Sequence, residues 1–465
     1  MDTTSPLKIH LVAACGTGMG TLACLLKEMG HVVSGSDQNV YPPMSDLLRE
    51  NGISLFSGYD PSHLDHDPDL VIIGNAVSRD NPEARAVMER EIPYMSMPQA
   101  VNRFVAADKK IILVTGTHGK TTTSSIMAHI LATAGMDPSF MIGGILKDYQ
   151  ASFKTGEGDF IVIEGDEYDT AFFDKGPKFM HYDPHVAVMT SVEFDHADIF
   201  RDLDHINSVF SAFIRKIVPA GAHIVACRDN DNLMGILEGE NVPFETYGKD
   251  ADWRVGEITR ENNRTQARIT GPGCDFKMDT AMVGNHNLLN TLACVATAIK
   301  IGIPVEKIQD ALASFSGVKR RQEIRGLKSG VTVMDDFAHH PSAVRETIGA
   351  VKPFYSRGRV IAVFEPRTNT SMRNFFQDVY PEAFSQADLV CVCDPSVKKN
   401  IPEADRFSPE KLVADINDLG VEAHHFETVD KVLEFLPPAV RPHDLVLIMS
   451  NGGFENIHER LLGMI

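Results

Sequence analysis

Three times along this chain, short runs of β-branched and aliphatic residues alternate with segments of helical periodicity, and this repetition constrains the fold more than any other feature. The first block holds "KIHLVAACGTGMG", "HVVSGSD" and "DLVIIGNAV". The second holds "IILVTGTHGK", "DFIVIEGDEYD", "VAVMTSVEFDH" and "AHIVACRDN", and closes after "SFSGVKRRQ". The third holds "VTVMDDFAHHP", "GRVIAVFEPR", "ADLVCVCDP" and "HDLVLIMSNGGF". Such alternation is the pattern of parallel α/β layers. The 465 residues exceed what one hydrophobic core usually serves. The expectation is therefore an α/β protein of three consecutive α/β domains, residues 1–107, 108–322 and 323–465. No segment is of low complexity, and the blocks are not close repeats.

Charge narrows the partners. Lys and Arg total 44 against 63 Asp and Glu, a formal charge of -19, which argues against nucleic acid and against a polybasic membrane surface. An anionic ligand must be held by a local pocket. No apolar run reaches the length of a membrane span, and the first residues lack the cationic and apolar regions of a leader, so a soluble cytoplasmic protein is expected. Its oligomeric state is not encoded legibly. The seven cysteines lack zinc-site spacing; Cys391 and Cys393 alternate onto one face of a strand-like run, where packing is their expected role.

The second block opens on "KKIILVTGTHGKTTTSSIMAHILATAG", an apolar strand followed by a glycine turn and a helical pattern. Gly116 and Gly119 permit the tight path that turns amides toward phosphate oxygens. Lys120 supplies an ammonium for terminal phosphates, and Thr121 a hydroxyl for magnesium. Val114 stands where the usual motif has its first glycine. The competing reading is a plain strand-to-helix turn; Gly-Lys-Thr-Thr at that junction favours a nucleotide loop.

"AACGTGMGTLA" follows the first strand and opens a helix, with Gly16, Gly18 and Gly20 positioned as in a Rossmann turn facing a pyrophosphate, although the third glycine comes one residue early. Asp37, ending "VVSGSD", is placed to meet a ribose or to cap locally. "VIEGDEYDTAFFD" and "SVEFDHADIF" end apolar runs in carboxylates, including Glu164 in the first and Glu193, Asp195, His196 and Asp198 in the second. Beside a phosphate loop such hard ligands suit Mg²⁺, and the pattern alone does not choose among them. "VGNHNLLNTLA" sets His286, Asn287 and Asn290 near a helix start, where they cap or read an adenine edge. "SGVKRRQE" offers Arg320 and Arg321, and "MDDFAHHP" offers Asp335, Asp336, His339 and His340. These read either as a solvated linker and turn or as a junction that couples domain closure to phosphoryl transfer.

In order and in combination, "TGTHGKTTT", "EGDEYD", "EFDHADIF", "GNHNLLN", "KRR" and "DDFAHHP" resemble the Mur ligase family over nearly the whole chain. The resemblance implies a Rossmann-like N-terminal domain for the UDP-sugar, a P-loop-type central ATPase domain and a Rossmann-like C-terminal domain for the acceptor. ATP would be the co-substrate and Mg²⁺ the cofactor. The implied ATP contacts are Gly116, Thr117, His118, Gly119, Lys120, Thr121, Thr122, His286, Asn287, Asn290, Arg320, Asp336 and His339. Thr121, Glu164 and His196 would hold magnesium, with Lys120, Glu164, His196 and Arg320 carrying the chemistry. Gly16, Thr17, Gly18, Met19, Gly20, Ser36, Asp37, Asn75 and Ala76 would lie along the UDP-sugar.

Within the family, "GSDQNVYPPMSDLLRENGI", "DEYDTAFFDKGPKF", "FEPRTNTSM" and "IMSNGGFENIHERLL" resemble the branch that joins the tripeptide L-Ala-γ-D-Glu-meso-diaminopimelate to the lactyl carboxylate of UDP-N-acetylmuramate. "FEPRTNT" stands where the L-alanine-adding branch carries a segment of the "Q-P-H-R-Y-T-R" type. If the strand continues extended, Arg367, Asn369 and Ser371 share a face and would bind the acceptor. Many members carry a carbamylated lysine after the His-Asp segment; here the helix "HINSVFSAFIRKIVP" has only Lys216, so the resemblance does not extend to that modification. The rival readings are free L-alanine as acceptor, a nicotinamide-dependent oxidoreductase using the first glycine turn, and a nonenzymatic nucleotide switch.

Overall fold

The computed structural model describes residues 5–40, 44–195, 199–261, 264–395 and 401–465. His196 and Asp198 lie outside them. Among the described residues, three large sheets follow one another along the chain, as the alternation predicts.

The first sheet is parallel, with strands β1 (Lys8–Val12), β2 (Val32–Asp37), β3 (Ser54–Ser57), β4 (Leu70–Ile73) and β5 (Tyr94–Ser96) in the order β3-β2-β1-β4-β5. This order reverses direction between β1 and β4, so the loops after them diverge and leave a crevice at their carboxyl ends. Gly16–Gly20 follow β1, Asn75 and Ala76 follow β4, and Ser36 and Asp37 end β2.

The central sheet contains β6 (Lys110–Thr115), β7 (Ser139–Leu146), β8 (Ala151–Lys154) and β9 (Phe160–Gly165). A small hairpin of β10 (Asp169–Ala171) and β11 (Asp174–Pro177) interrupts it before β12 (Val186–Met189), β13 (His223–Cys227) and β14 (Glu245–Tyr247). The order is β14-β13-β12-β6-β9-β7-β8, parallel except for β8. β6, β9 and β12 are therefore neighbours, and the glycine-lysine loop, "EGDE" and "SVEFD" leave the same edge. A three-stranded antiparallel sheet, β15 (Arg254–Glu261), β16 (Arg264–Gly271) and β17 (Cys274–Thr280), follows. On the hairpin, Phe172 and Phe173 pack against the core of the first domain, with Phe173 edge-on to Tyr94 at 5.0 Å. The carboxylate loop is thus anchored to the neighbouring domain.

The third sheet has β18 (Glu323–Lys328), β19 (Val331–Asp336), β20 (Val360–Phe364), β21 (Leu389–Cys393), β22 (Glu422–Phe426) and β23 (Leu445–Met449) in the order β18-β19-β23-β20-β21-β22; only β18 is antiparallel. Its two faces carry separate cores. Val390 and Val392 point into one, Cys391 and Cys393 into the other, so the two buried thiols share a face as their spacing predicts. "DDFAHHP", "EPRTNT" and "SNGG" leave the carboxyl ends of three adjacent strands. Among the described residues, no helix is long and apolar enough to cross a membrane.

Candidate active site

The site is built where β6 gives way to the helix Lys120–Thr133. Gly116 has φ +123° and Gly119 φ +80°, the left-handed half of backbone space. Neither has room for a side chain. A Cβ on Gly116 would collide with Thr190 Oγ1, and one on Gly119 would stand 2.5 Å from Asn290 Oδ1. The Thr117 amide donates to the Ser191 carbonyl at 2.9 Å and the His118 amide to Ser191 Oγ at 3.0 Å, which braces the loop on the segment after β12.

Lys120 folds back over the loop. Its ammonium donates to the Gly116 carbonyl at 2.6 Å and to Glu167 Oε2 at 2.9 Å. Burial pulls its pKa down, but Glu167, Asp166 and Glu164 outweigh burial and hold it above the ordinary lysine value. Thr121 Oγ1 donates to Glu164 Oε1 at 2.7 Å, and the Gly143 amide donates to the other Glu164 oxygen at 2.6 Å. Burial and then the charge of Asp166 push Glu164 up. Burial also raises Asp166, yet Lys178 and Lys120 outweigh it and leave Asp166 below the usual range.

Three carboxylates, Glu164, Asp166 and Glu167, thus share two ammonium groups, Lys120 and Lys178. That surplus of hard oxygen beside a threonine hydroxyl fits a magnesium ion, which takes few protein ligands and keeps its waters.

Helix Asn285–Lys300 and the linker to the third domain close the other side. Asn290 Nδ2 donates to Asn287 Oδ1 at 3.3 Å, and Asn287 Nδ2 reaches the Val283 carbonyl at 2.8 Å and Gln322 Oε1 at 3.4 Å. His286 lies 3.4 Å from Gln322 Nε2, and burial followed by the Arg321 charge lowers it to about 4. The Gln322 amide donates to Asp336 Oδ2 at 2.8 Å, and the Ala338 amide caps the other oxygen. His286, Asn287, Asn290 and Asp336 are therefore brought together, with Gln322 as the connector. His339 follows in the same loop, its carbonyl accepting from Tyr380 Oη at 2.5 Å.

The adjacent arginines diverge. Arg320, at φ +60°, donates through Nη2 to the carbonyls of Ser450 and Gly452, both at 2.6 Å. Arg321 instead reaches Thr121 Oγ1 at 3.3 Å, although both guanidinium groups lie over the Phe337 ring; burial pulls the Arg321 pKa below the ordinary value. The cation facing the glycine-lysine loop from the linker is Arg321, a placement that "KRR" does not disclose.

The loop after β20 departs from expectation. The strand ends at Phe364, and Thr368 starts a turn: the Ser371 amide donates to Thr368 Oγ1 at 3.0 Å and the Met372 amide to the Thr368 carbonyl at 3.0 Å. Arg367, Asn369 and Ser371 consequently do not alternate on one extended face. Ser371 is buried, and its Oγ accepts from the Arg367 amide at 3.0 Å. The Arg367 guanidinium lies so close against Gly452 that a Cβ there would collide with it. Ser450 Oγ donates to the fully buried Glu365 at 2.6 Å.

At the first crevice, Gly16 caps the helix Thr17–Glu28 and, with Thr17, is exposed, whereas Met19 and Gly20 are buried. Asp37 accepts from the Cys15 amide at 2.8 Å and the Asn39 amide at 2.9 Å, a local brace. Ser36 is fully buried and donates to Glu83; Asn75 and Ala76 are exposed. Glu83 is a polar hub that its place in "NPEARAV" does not announce, for it also bonds His63 at 2.6 Å. Lys216 is held by Asp183 at 2.9 Å and by the Met180 and Tyr182 carbonyls.

Comparisons with known proteins agree with this architecture. Residues 8–109 match the description "Mur ligase family, catalytic domain", residues 114–298 "Mur ligase middle domain", and residues 320–452 "Mur ligase, glutamate ligase domain". The chain is 41% identical over 98% of both lengths to the UDP-N-acetylmuramate–L-alanyl-γ-D-glutamyl-meso-2,6-diaminoheptandioate ligase of Escherichia coli (strain K12). It is 32% identical, over 98% of itself and 97% of the relative, to the UDP-N-acetylmuramate–L-alanine ligase of Syntrophomonas wolfei. Among solved structures, the murein peptide ligase of Psychrobacter arcticus 273-4 is 33% identical, with a TM-score of 0.73 and 98% of each chain covered. The chain belongs to the Mur ligase family. It is an ATP-dependent ligase.

Proposed function

We infer that this enzyme joins the tripeptide L-Ala-γ-D-Glu-meso-diaminopimelate to the lactyl carboxylate of UDP-N-acetylmuramate, a cytoplasmic step that returns wall peptide to precursor synthesis. The full-length 41% identity to the ligase of that specificity carries the reading. The L-alanine ligase of Syntrophomonas wolfei stands at 32%.

The chemistry follows from the substrate. A carboxylate is a poor electrophile, so amide formation first requires a leaving group on carbon. ATP gives its γ-phosphoryl to the lactyl carboxylate and leaves as ADP, the amine of the tripeptide's L-alanine attacks the acyl phosphate, and the tetrahedral intermediate loses a proton and collapses to amide and inorganic phosphate. In this reading the Gly116–Thr122 loop cradles the phosphates. Lys120, freed from the Gly116 carbonyl, and Arg321 spread the charge of the transferring group. Thr121 and Glu164, with His196, would hold magnesium, which supplies further neutralisation of phosphate charge when bound. His286, Asn287, Asn290 and Asp336 suit the adenosine end. The UDP-sugar fits the crevice between Gly16–Gly20 and Asn75–Ala76. Arg320, by gripping the Ser450 and Gly452 carbonyls, keeps the third domain closed against water. Arg367 offers a guanidinium to an acceptor carboxylate.

The decisive experiment supplies ATP and UDP-N-acetylmuramate with either the tripeptide or L-alanine and reads the product by mass. Tripeptide adduct is expected. Product with L-alanine alone would move the enzyme to the other branch. With Arg367→Ala, the KM for tripeptide should rise strongly while those for ATP and UDP-N-acetylmuramate stay nearly constant; a loss confined to ATP would remove Arg367 from the acceptor site.

A further inference from the structure

Beside the glycine-lysine loop, the side chain of His118 joins Glu193 and His340, two residues to which the proposed ligase chemistry gives no work. His118 comes from the loop itself, Glu193 from the segment after β12, and His340 from the start of the third-domain helix Pro341–Val351. His118 Nε2 is 3.2 Å from Glu193 Oε2, and His340 Nδ1 is 4.0 Å from the same oxygen; one ligand atom from each residue lies within 4.8 Å of the others. The two imidazole rings approach to 4.8 Å. His340 is 7% exposed, its Nε2 has no hydrogen-bond partner, and its Nδ1 accepts a long 3.3 Å bond from the Ser342 amide. Glu193 is one-third exposed, which leaves a path from the cleft.

Ligands about 2.0–2.1 Å from a tetrahedral ion stand roughly 3.4 Å apart, so closing this trio needs only side-chain rotation. Two imidazoles and one carboxylate are the donors that zinc, cobalt or nickel prefer, whereas magnesium selects oxygen. We propose that His118, Glu193 and His340 form a transition-ion site, separate from the oxygen pair Thr121–Glu164 and completed only when the third domain meets the central one. Its two imidazoles and one carboxylate differ from the Thr121, Glu164 and His196 set proposed for magnesium, so it admits a different ion.

Cobalt(II) reports its own ligands by visible absorption. Titration of the full-length, nucleotide-free protein should give one equivalent of bound Co²⁺ with nitrogen and oxygen ligands that excess Mg²⁺ does not displace. Glu193→Gln and His340→Asn should each weaken it by at least about tenfold, while Glu164→Gln leaves it in place. Asparagine is itself a good helix cap, so His340→Asn retains the local fold. Bands lost in Glu164→Gln but kept in His340→Asn would put the ion on the oxygen pair and overturn the proposal. Thiolate charge-transfer bands would put it on the cysteines and overturn the proposal equally. Absence of stoichiometric binding by the wild-type chain would also refute it.

Discussion

Two glycine turns occupy equivalent places in this molecule, one after β1 and one after β6, each between a buried strand of a parallel sheet and the start of a helix. Their surroundings differ. At Gly116 and Gly119 the backbone is left-handed and every approach is filled, while Lys120, Arg321 and three carboxylates crowd the space in front. Gly16 caps its helix at an ordinary φ of -72°, no atom lies within 4 Å of where its Cβ would be, and no lysine or arginine stands in the turn. The shared geometry supplies amides for an anion. In the function proposed above, the crowded turn handles charge in motion, whereas the first turn, open at Gly16 though closed by Met97 and Met44 at Gly18 and Gly20, only holds a ligand at rest.

The most damaging substitution should be Lys120→Ala. Losing a contact made to the transferring phosphoryl group raises the barrier by about 3 kcal/mol or more. The structure adds a second cost. Glu167 is 2% exposed and pairs with Lys120, so the variant leaves a buried carboxylate without its cation and loses up to about 3 kcal/mol of stability. Kinetics and thermal unfolding measured on the same preparation separate the two; near-normal turnover would end the assignment of the loop.

Gly119→Ala should follow. The added methyl meets Asn290 Oδ1 at 2.5 Å in a backbone conformation that L side chains disfavour, a strain of about 1–3 kcal/mol. Because Asn290 is displaced with the loop, the KM for ATP should rise along with the loss in melting temperature. An unchanged ATP KM would separate Asn290 from the nucleotide.

The linker arginines probe the crowded turn from the opposite side. Arg321→Ala should depress kcat by about 10²-fold, since its guanidinium faces Thr121. Arg320→Ala should act on closure, raising KM values with a smaller change in kcat, because its bonds go to the Ser450 and Gly452 carbonyls. The reverse pattern would mean that Arg320 swings to the phosphates once nucleotide binds.

These arginines also mark where the sequence stops being legible. Strand runs, glycine turns and carboxylate ends are local features, set by periodicity and by the short menu of turns, and the three sheets follow from them. Arg320 and Arg321 are neighbours whose divergence depends on φ +60° at Arg320 and +47° at Gln322, which no side-chain pattern encodes. Arg367, Asn369 and Ser371 fail to alternate because Thr368 offers the backbone a hydroxyl and closes a turn, a competition that composition hints at but does not decide. The bond from Ser342 Oγ to Glu193 at 2.9 Å spans 149 residues and two domains. Such pairings belong to tertiary packing, so each cluster could be read only as a set of candidates.

The mildest change, and the one that tests the first turn itself, is expected from Gly16→Ala. Since nothing lies near the new methyl and φ is ordinary, stability should change by less than about 0.5 kcal/mol. ATP kinetics should be untouched, because the second turn is in another domain. A pyrophosphate seated on the amides that open the helix would need to approach the backbone at Gly16 closely, and an added methyl would occupy part of that open space. The KM for UDP-N-acetylmuramate should therefore rise several-fold with kcat preserved, a defect of resting and not of reaction. If that KM stays constant while Asn75→Ala changes it, the donor lies along β4 and the first glycine turn is only a helix cap. If both leave it constant, the crevice between β1 and β4 loses its claim to the UDP-sugar, and the likeness between the two turns ends at their backbone.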